Sequence, residues 1–514
     1  MKNEKIADAL NEIDDTYLAQ AAQSPARRRP YWIMAVAAIL AIVLNLSMIP
    51  GSNIDPTQPN LEVPGTESRP APTQPPTNGS IIPPNVGHIG SIDLSALSEL
   101  PNLLAAPVIP QLVNFPIWNE YNGNHIAYEE AKTQWANSQA AQFNQPDGYA
   151  DSLMDFFHRS IAQFLDGSEN GAYSPVNVYL AMAMLAETTG GNSRQEILDL
   201  FGADSIETLR QQASHLWNAH YNNDGQTTLL LGNSLWLDHA YRFKSDVVNR
   251  LSQDYYASVF GGDLGSDESN AQLQAWLNTM TGGLLEEQTK NTELSEYACF
   301  ALASTIYFKA GWKEEFPESL TAEGTFHAYS GDRTAMFMQN YVNGFVYYGS
   351  NFSAVQLSLT GCNGMWIILP DEGVTVAQVL GGEEYLNLTL DPNSWKDKTY
   401  GLIHITLPKF DVTSKSDLIN GMKKLGLKDI FDYTVADFTP MTSDSNMLSV
   451  TQIDHAARVV IDEKGVVAAA YTVIEVDDEA APPQIIEFVA DRPFAFIVSS
   501  QDNLPLFAGT VVEP

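Results

Sequence analysis

Residues able to do chemistry are numerous in this chain, but they do not converge. The nine histidines include no H-E-x-x-H pair, and His215 and His220 lie five apart, off the i, i+4 face that a helix offers to zinc. No G-x-S-x-G elbow presents a serine nucleophile. Gly421–Gly426 nearly forms a phosphate loop, but Leu427 stands where its lysine must be, and no G-x-G-x-x-G follows a strand. The 62 acidic residues are too scattered to single out a catalytic pair. The expectation is no enzyme, no metal, no cofactor and no small-molecule substrate. One segment is chemically pointed in a different way: IDEKGVVAAAYTVIEVDDEAAPPQIIEF, Ile461 to Phe488. With a period of two from Val466, one face reads Val466, Ala468, Ala470, Thr472, Ile474 and Val476, uniformly small or apolar. The other, Val467, Ala469, Tyr471, Val473, Glu475 and Asp477, turns bulky or polar, as in a half-buried strand. Asp477–Pro483 then turns acidic and ends in two prolines, an extended stretch whose peptide bonds are bait for another enzyme's nucleophile. An ordinary strand followed by a surface loop fits the same alternation.

The elements that must position this segment come from the rest of the chain. Its 514 residues are 44% hydrophobic and 10% aromatic, enough for a large core. A formal net charge of −35 excludes nucleic acid, which needs clustered Lys and Arg. With only Cys299 and Cys362, a disulfide-dense scaffold is excluded; two separate buried thiols are expected, although one bridge is arithmetically open. Residues 1–29 are polar and end in Arg27–Arg29, and the uncharged run Tyr31–Met48 is near the lower limit for crossing a bilayer, about 17–25 residues. The arginines on its N-terminal flank put residues 1–29 in the cytoplasm and make 30–49 a transmembrane helix or signal anchor. A cleaved signal peptide, which would release a secreted body, is the rival reading. Residues 50–87 are Pro-rich and read as a disordered stalk. Residues 88–145 carry Leu103, Leu104, Val108, Ile109, Leu112, Val113, Phe115 and Trp118, too apolar for a free linker, and are expected to pack on the domain that follows, 146–514. Tyr128–Gln142 has helical composition.

In that domain Leu153, Phe156, Phe157, Ile161, Phe164 and Leu165 recur at helical spacing, and Ser174-Pro175 opens a second helix over Val176–Leu185. Strand-like runs follow: Thr228–Leu237, Phe300–Phe308, Gly344–Leu357, Met365–Leu369, Gly401–Thr406, Val466–Val476, Phe494–Val498 and Leu506–Val511. Helices and strands do not alternate strictly, so the class is α+β with large antiparallel sheets.

From about residue 146 to Pro514 the chain resembles a serpin, of bacterial type, through motifs dispersed in family order. Ser174–Glu187 with Gly190-Gly191-Asn192-Ser193 resembles the family's second helix and the turn after it. Asn233–Leu237 resembles its N-A-L-W strand, and Ser304–Lys309 with Trp312 and Phe316 the third strand of its central sheet. Leu407–Phe410, Ala436–Phe438, His455, Ile461–Gly465, Ala490–Phe494 and Pro505–Gly509 complete the series. Departures are Ser304 where Asn is usual, Asn177 where Ser is common, Val466 and Val467 at the hinge, and the bulky Tyr471.

The resemblance implies the serpin fold: a large central sheet, additional sheets, about eight or nine helices and an exposed reactive-centre loop. It implies a suicide substrate for a serine endopeptidase, whose cleaved loop inserts into the central sheet and traps the acyl-enzyme as a covalent complex. Glu463, Gly465, Val466, Ala468, Ala469, Ala470 and Thr472 would form the hinge and inserting strand. Ser174, Asn177, Ser304, Trp312 and His455 would form the cluster where the sheet parts. Family spacing from Gly465 puts the reactive bond at Glu479–Ala480, with Asp478–Glu479 next to it, which favours proteases that accept an acidic or small residue before the cut. A non-inhibitory cell-surface binding module, or a cross-class inhibitor of cysteine proteases, is the alternative. The body is expected outside the cell membrane, held by a single span.

Overall fold

The computed structural model describes residues 94–110, 112–283, 292–361, 364–444, 447–466 and 485–514. The Tyr31–Met48 run, the Pro-rich segment, Cys362 and the loop residues Ala468, Ala469, Ala470, Thr472, Asp478, Glu479 and Ala480 lie outside them. Among the described residues no helix is long and apolar enough to cross a membrane.

Two large sheets organise the body. The central sheet runs, edge to edge, β1 (Leu103–Ala105), β5 (Ala257–Gly262), β4 (Thr227–Asp238), β6 (Phe300–Gly311), β14 (Gly465–Val466), β13 (Asp454–Asp462) and β12 (Phe410–Asp417), with β3 (Asn222–Asn223) on β4. The second runs β15 (Ile485–Val489), β11 (Lys398–Pro408), β8 (Gly331–Tyr348), β9 (Phe352–Ser358), β10 (Gly364–Pro370), β16 (Phe494–Ser499), β17 (Pro505–Val511) and β2 (Gly171–Tyr173), with β7 (Ala322–Ala328) on β8. Most ladders are antiparallel; β4–β5 and β11–β15 are parallel. Ten α-helices occur among the described residues, against the eight or nine implied by resemblance; one of them, α1 (His125–Phe143), precedes residue 146. The class is α+β, as the irregular order of helical and strand-like runs requires.

Local chemistry explains the elements that matter. Helix α2 (Met154–Phe164) follows the expected spacing, and α3 (Pro175–Thr188) opens at the expected Ser174-Pro175. Ser174 caps α3 by accepting the Asn177 amide (3.2 Å), and Pro175 occupies the first turn, where no amide partner is needed. Nearly every side chain of α3 is buried, because the helix is apolar around its circumference and packs against β6 and β17. The apolar run of β4 is buried at every position, so it sits inside the sheet with both faces covered. The single run expected over Gly344–Leu357 is two strands instead. Gly349 donates its amide to the Phe352 carbonyl (2.8 Å), and the Gly-Ser-Asn turn between β8 and β9 interrupts the ladder.

The segment before residue 146 joins the body at several points. β1 adds an antiparallel strand to β5, with Leu103 opposite Phe260. The Phe115 amide donates to the Asp224 carbonyl (2.7 Å), and Trp135 Nε1 of α1 donates to the Asp224 carboxylate (2.8 Å). Distant motifs also meet: the Gly190 amide donates to the Asp437 carbonyl (2.9 Å), and Ser174 Oγ to the Leu506 carbonyl (2.7 Å). Cys299 is a buried free thiol, pushed up to about 12 by burial and the nearby Asp238 and Asp444 carboxylates.

Candidate functional site, a lane in the central sheet

Among the described residues, β14 joins β6 to β13 in the sheet. Gly465 and Val466 pair antiparallel with Gly311 and Ala310 on one side, and with Asp462 and Ile461 on the other. Beyond that two-residue wedge no ladder joins β6 to β13 among the described residues. A cleft of about 540 Å³ lies between Phe300–Thr305 of β6 and Met447–Ala456, and its lining includes Asn177, Val178, Ala181, Met182 and Leu185 of α3. Phe300–Ser304 are accordingly only half-buried, whereas every position of the neighbouring β4 is fully buried. Among the described residues, the central sheet therefore carries a lane between β6 and β13 with one end occupied by β14.

The occupied end is the predicted hinge, and it is tightly fastened. Asp462 Oδ1 accepts the amides of Lys464 (2.8 Å) and Gly465 (3.2 Å), closing a turn between β13 and β14. Gly465 has φ +141°, and a Cβ there would lie 2.5 Å from the Ala310 carbonyl oxygen and 2.8 Å from Gly311 Cα. Only glycine fits, both for its torsion and for the close approach of the neighbouring strand. Glu463 accepts from Lys409 Nζ (2.8 Å) and Thr321 Oγ1 (2.9 Å). Burial alone would raise its carboxyl, but these bonds outweigh it and hold Glu463 below the usual range. Trp312, 1% exposed, donates Nε1 to the Asp462 carbonyl (2.9 Å) and its amide to the Lys464 carbonyl (3.1 Å). The sequence names Lys409 and Asp462 only within motifs and Thr321 not at all, because what they grip is a turn formed only in three dimensions.

The other predicted residues meet underneath the lane. Ser304 Oγ of β6 lies 2.6 Å from Asn177 Oδ1 of α3, and Asn177 Nδ2 donates to the Ser304 carbonyl (3.4 Å). The unusual Ser and Asn at these two positions thus face each other directly. Ser304 Oγ is also 2.9 Å from Asn233 Oδ1, whose amide nitrogen is tied to the Tyr255 carbonyl (2.7 Å), so one hydroxyl proton serves two amide oxygens. Asn233 is a member of the cluster that sequence reasoning named only within a motif; an Asn in the middle of the apolar run of β4 is the signal. His455, 4% exposed, accepts the Ser174 amide at Nε2 (3.2 Å) and packs edge-on against Tyr173. Burial pushes His455 down to about 4, so it is neutral, with its proton on Nδ1. Ser174, Asn177, Ser304 and His455 are thus brought together, and Trp312 stands apart at the hinge.

The arrangement offers no nucleophile paired with a base, and no group of acidic, histidine or cysteine side chains able to hold a metal occurs among the described residues. It offers a conformational step: an open sheet, a strand begun at one end, and a hydrogen-bonded latch on the helix below. A model of the family "Serpin (serine protease inhibitor)" matches residues 151–514. Serpin-ZX of Arabidopsis thaliana is 28% identical over 364 residues, covering 68% of this chain and 93% of that protein. An alpha-1-antitrypsin-like protein of Ictidomys tridecemlineatus is 27% identical over 351 residues, covering 66% and 82%. Among solved structures, the native state of the thermophilic serpin tengpin superposes with TM-score 0.65 at 22% identity, over 72% of this chain and 95% of that one. Native Arabidopsis AtSerpin1, described as stressed, does so with TM-score 0.61 at 25% identity, over 71% and 98%. With the family model covering well over half its length, and the same order of motifs folded into one sheet-and-helix body, this chain belongs to the serpin family.

Proposed function

We propose that the chain inhibits a serine-type endopeptidase as a single-use mechanical trap. The observation that carries this reading is the lane between β6 and β13, with Gly465–Val466 seated at its mouth. The protease attacks a bond near Glu479–Ala480, with Asp478–Glu479 as the neighbouring choice, and becomes an acyl-enzyme through its own nucleophile. The freed segment then continues the ladder that β14 begins. In that register Ala468 comes opposite Phe308 and Val459, Ala470 opposite Ile306 and Ala457, and Thr472 opposite Ser304 and His455. Ala468 and Ala470 add little bulk between the two strands, and the hydroxyl of Thr472 arrives at the cluster whose single Ser304 proton is oversubscribed. About 14 inserted residues at about 3.3 Å each carry the bound enzyme on the order of 45 Å. Roughly a dozen new ladder bonds at about 1 kcal/mol each, with apolar burial, make the step irreversible in practice. The native fold is a kinetic state.

The loop holds no Lys or Arg between Lys464 and Arg492, which disfavours trypsin-like targets and suits an enzyme accepting acidic or small residues before the cut. Tyr31–Met48 anchors the chain with residues 1–29 in the cytoplasm, and residues 50–87 form a stalk that holds the body outside the cell membrane. Incubation with a panel of proteases tests the reading. An SDS-stable adduct and a released fragment beginning between Val476 and Pro482 are expected. Cleavage in the loop with no adduct, and no gain in thermal stability on cutting, would leave a non-inhibitory binding module.

A further inference from the structure

Tyr471 is a poor match to its surroundings in the loop strand. Its neighbours Ala468, Ala469, Ala470 and Thr472 are small, and its ring has to find room on whichever face of the sheet it enters. The ladder that β14 begins decides that face. Carried on in the register of Gly465 and Val466, it brings Tyr471 opposite Thr305 of β6 and Ala456 of β13. These two alternate with Ser304 and His455, which turn toward α3 and its cap, so Tyr471 enters on the other side of the sheet.

That side is roofed by helix α4 (Asp267–Met280). Gly232 lies opposite Thr305 across β4 and β6, and a Cβ on it would stand 2.7 Å from Met280 Cε and 3.0 Å from Thr305 Cγ2. Gly232, Thr305 and α4 therefore share one face. The row across the sheet at this level is Gly232, Thr305, the lane, Ala456 and Lys415. Three of its four residues are small, which leaves height for a large side chain between them. The cleft of about 540 Å³ reaches this spot, where Thr305, Ala456, Lys415, Thr292 and the α4 residues Leu273 and Leu277 line it. Lys415 spans the roof by donating Nζ to Thr292 Oγ1 (3.4 Å), and the Thr292 carbonyl accepts from Gln274 Nε2 of α4 (2.9 Å). Thr305 Oγ1 is buried and meets no hydrogen-bond partner among the described residues, a condition that folded interiors rarely tolerate.

We propose that the cleft beneath α4 is the seat of Tyr471. The ring enters over Thr305 and Ala456, packs against Leu273 and Leu277, and sends its hydroxyl to the rim formed by Thr292 and Lys415. A seated aromatic side chain removes about 150–250 Å² from water, which none of its alanine neighbours can match. Tyr471 lies five residues past Val466, where β14 ends, so the ring is bound before the bait has travelled its full length. Sliding back then means unseating it, and the strand advances while the acyl bond still holds. The proposal rests on the trapping reading, and adds the residue that decides how often a cut ends in a trapped enzyme rather than a released one.

The test uses the whole chain and a Glu-specific serine endopeptidase. The fraction of cut chain held as SDS-stable adduct, and the rise in thermal midpoint on cutting the loop, are measured for the parent, Tyr471→Ala, Tyr471→Phe, Ala456→Leu, and Tyr471→Ala with Ala456→Leu. Tyr471→Ala is expected to lower the adduct fraction at least threefold and to lose several degrees of the rise, with the uncut midpoint unchanged. Tyr471→Phe keeps the ring and should stay near the parent. Ala456→Leu fills the seat and should lower the adduct fraction at least threefold; adding Tyr471→Ala to it should restore at least twofold, a recovery that a purely structural defect at residue 456 would not give. A parent that forms adduct and gains stability on cutting, with Tyr471→Ala equal to it or better in both, would overturn the seat and leave the trap standing. A parent with neither adduct nor gain would sink the trap and the seat with it. An uncut parent that sediments as an oligomer, dissociated by Tyr471→Ala, would give the seat to a second copy's ring and overturn the proposal.

Discussion

Gly465 is where a single residue decides most. At φ +141°, with the Ala310 carbonyl 2.5 Å from any Cβ, Gly465→Ala has to distort the turn or leave the lane. It is expected to lower native-state stability by about 1–3 kcal/mol, read as a shift in the urea midpoint. Two histidines set opposite pH limits. His220 sits with Nδ1 2.7 Å from the Leu216 carbonyl and Nε2 3.0 Å from Asp502 Oδ1, so both nitrogens face acceptors and the ring must be an imidazolium. Burial alone would discharge it; the Asp502 charge and hydrogen bond outweigh that and hold it above the ordinary value. Its contribution is therefore full below about pH 6.5 and lost as pH rises through the raised value. His455, neutral and pushed down to about 4, contributes fully above about pH 6.5 and is lost as pH falls toward 4. The expected stability profile is bell-shaped, with His220→Gln flattening the alkaline limb and His455→Gln the acid limb; urea titrations from pH 4 to 9 check both.

At the scale of elements, the trapping reading makes the latch between α3 and β6 the part that gives way when the lane fills. Ser304→Ala strips the donor from two buried amide oxygens, Asn177 Oδ1 and Asn233 Oδ1, and is expected to cost about 1–3 kcal/mol. Because Ser304 and Asn177 touch, the double exchange Asn177→Ser with Ser304→Asn should recover at least about 0.5 kcal/mol relative to the sum of the single changes. A double-mutant cycle with additive costs would show that the two do not act as a pair. α2 was legible from the spacing of its apolar residues, α3 from its Ser174-Pro175 opening, and β4 and β6 from their unbroken strand-like runs. The interruption between β8 and β9 was not, because a Gly-Ser-Asn turn sat inside one long apolar run. Nor was β1: three residues make a strand only because the edge of β5 is there to receive them.

For the molecule as a whole, the described residues between 94 and 145 are part of the folded body rather than an appendage. Their β1 covers the β5 edge of the central sheet, and an unpaired edge is a template for unwanted pairing. A chain starting at residue 146 is expected to melt several degrees lower than one starting at residue 94 and to aggregate more readily. Trp135→Phe in the longer chain, which removes the bond to Asp224, should cost about 1 kcal/mol. Differential scanning calorimetry with light scattering compares all three.

Sequence by itself determined the α+β class from residue type and local spacing, and through the family resemblance over the last two thirds of the chain it named Ser174, Asn177, Ser304 and His455. The chain carries both whether or not it is folded. Only the tertiary structure decided that, among the described residues, β6 and β13 are linked in the sheet through Gly465–Val466, and that Ser304 meets Asn177 and Asn233 at once. These depend on distances between segments far apart in the chain, and the closure of the sheet around its core sets those distances.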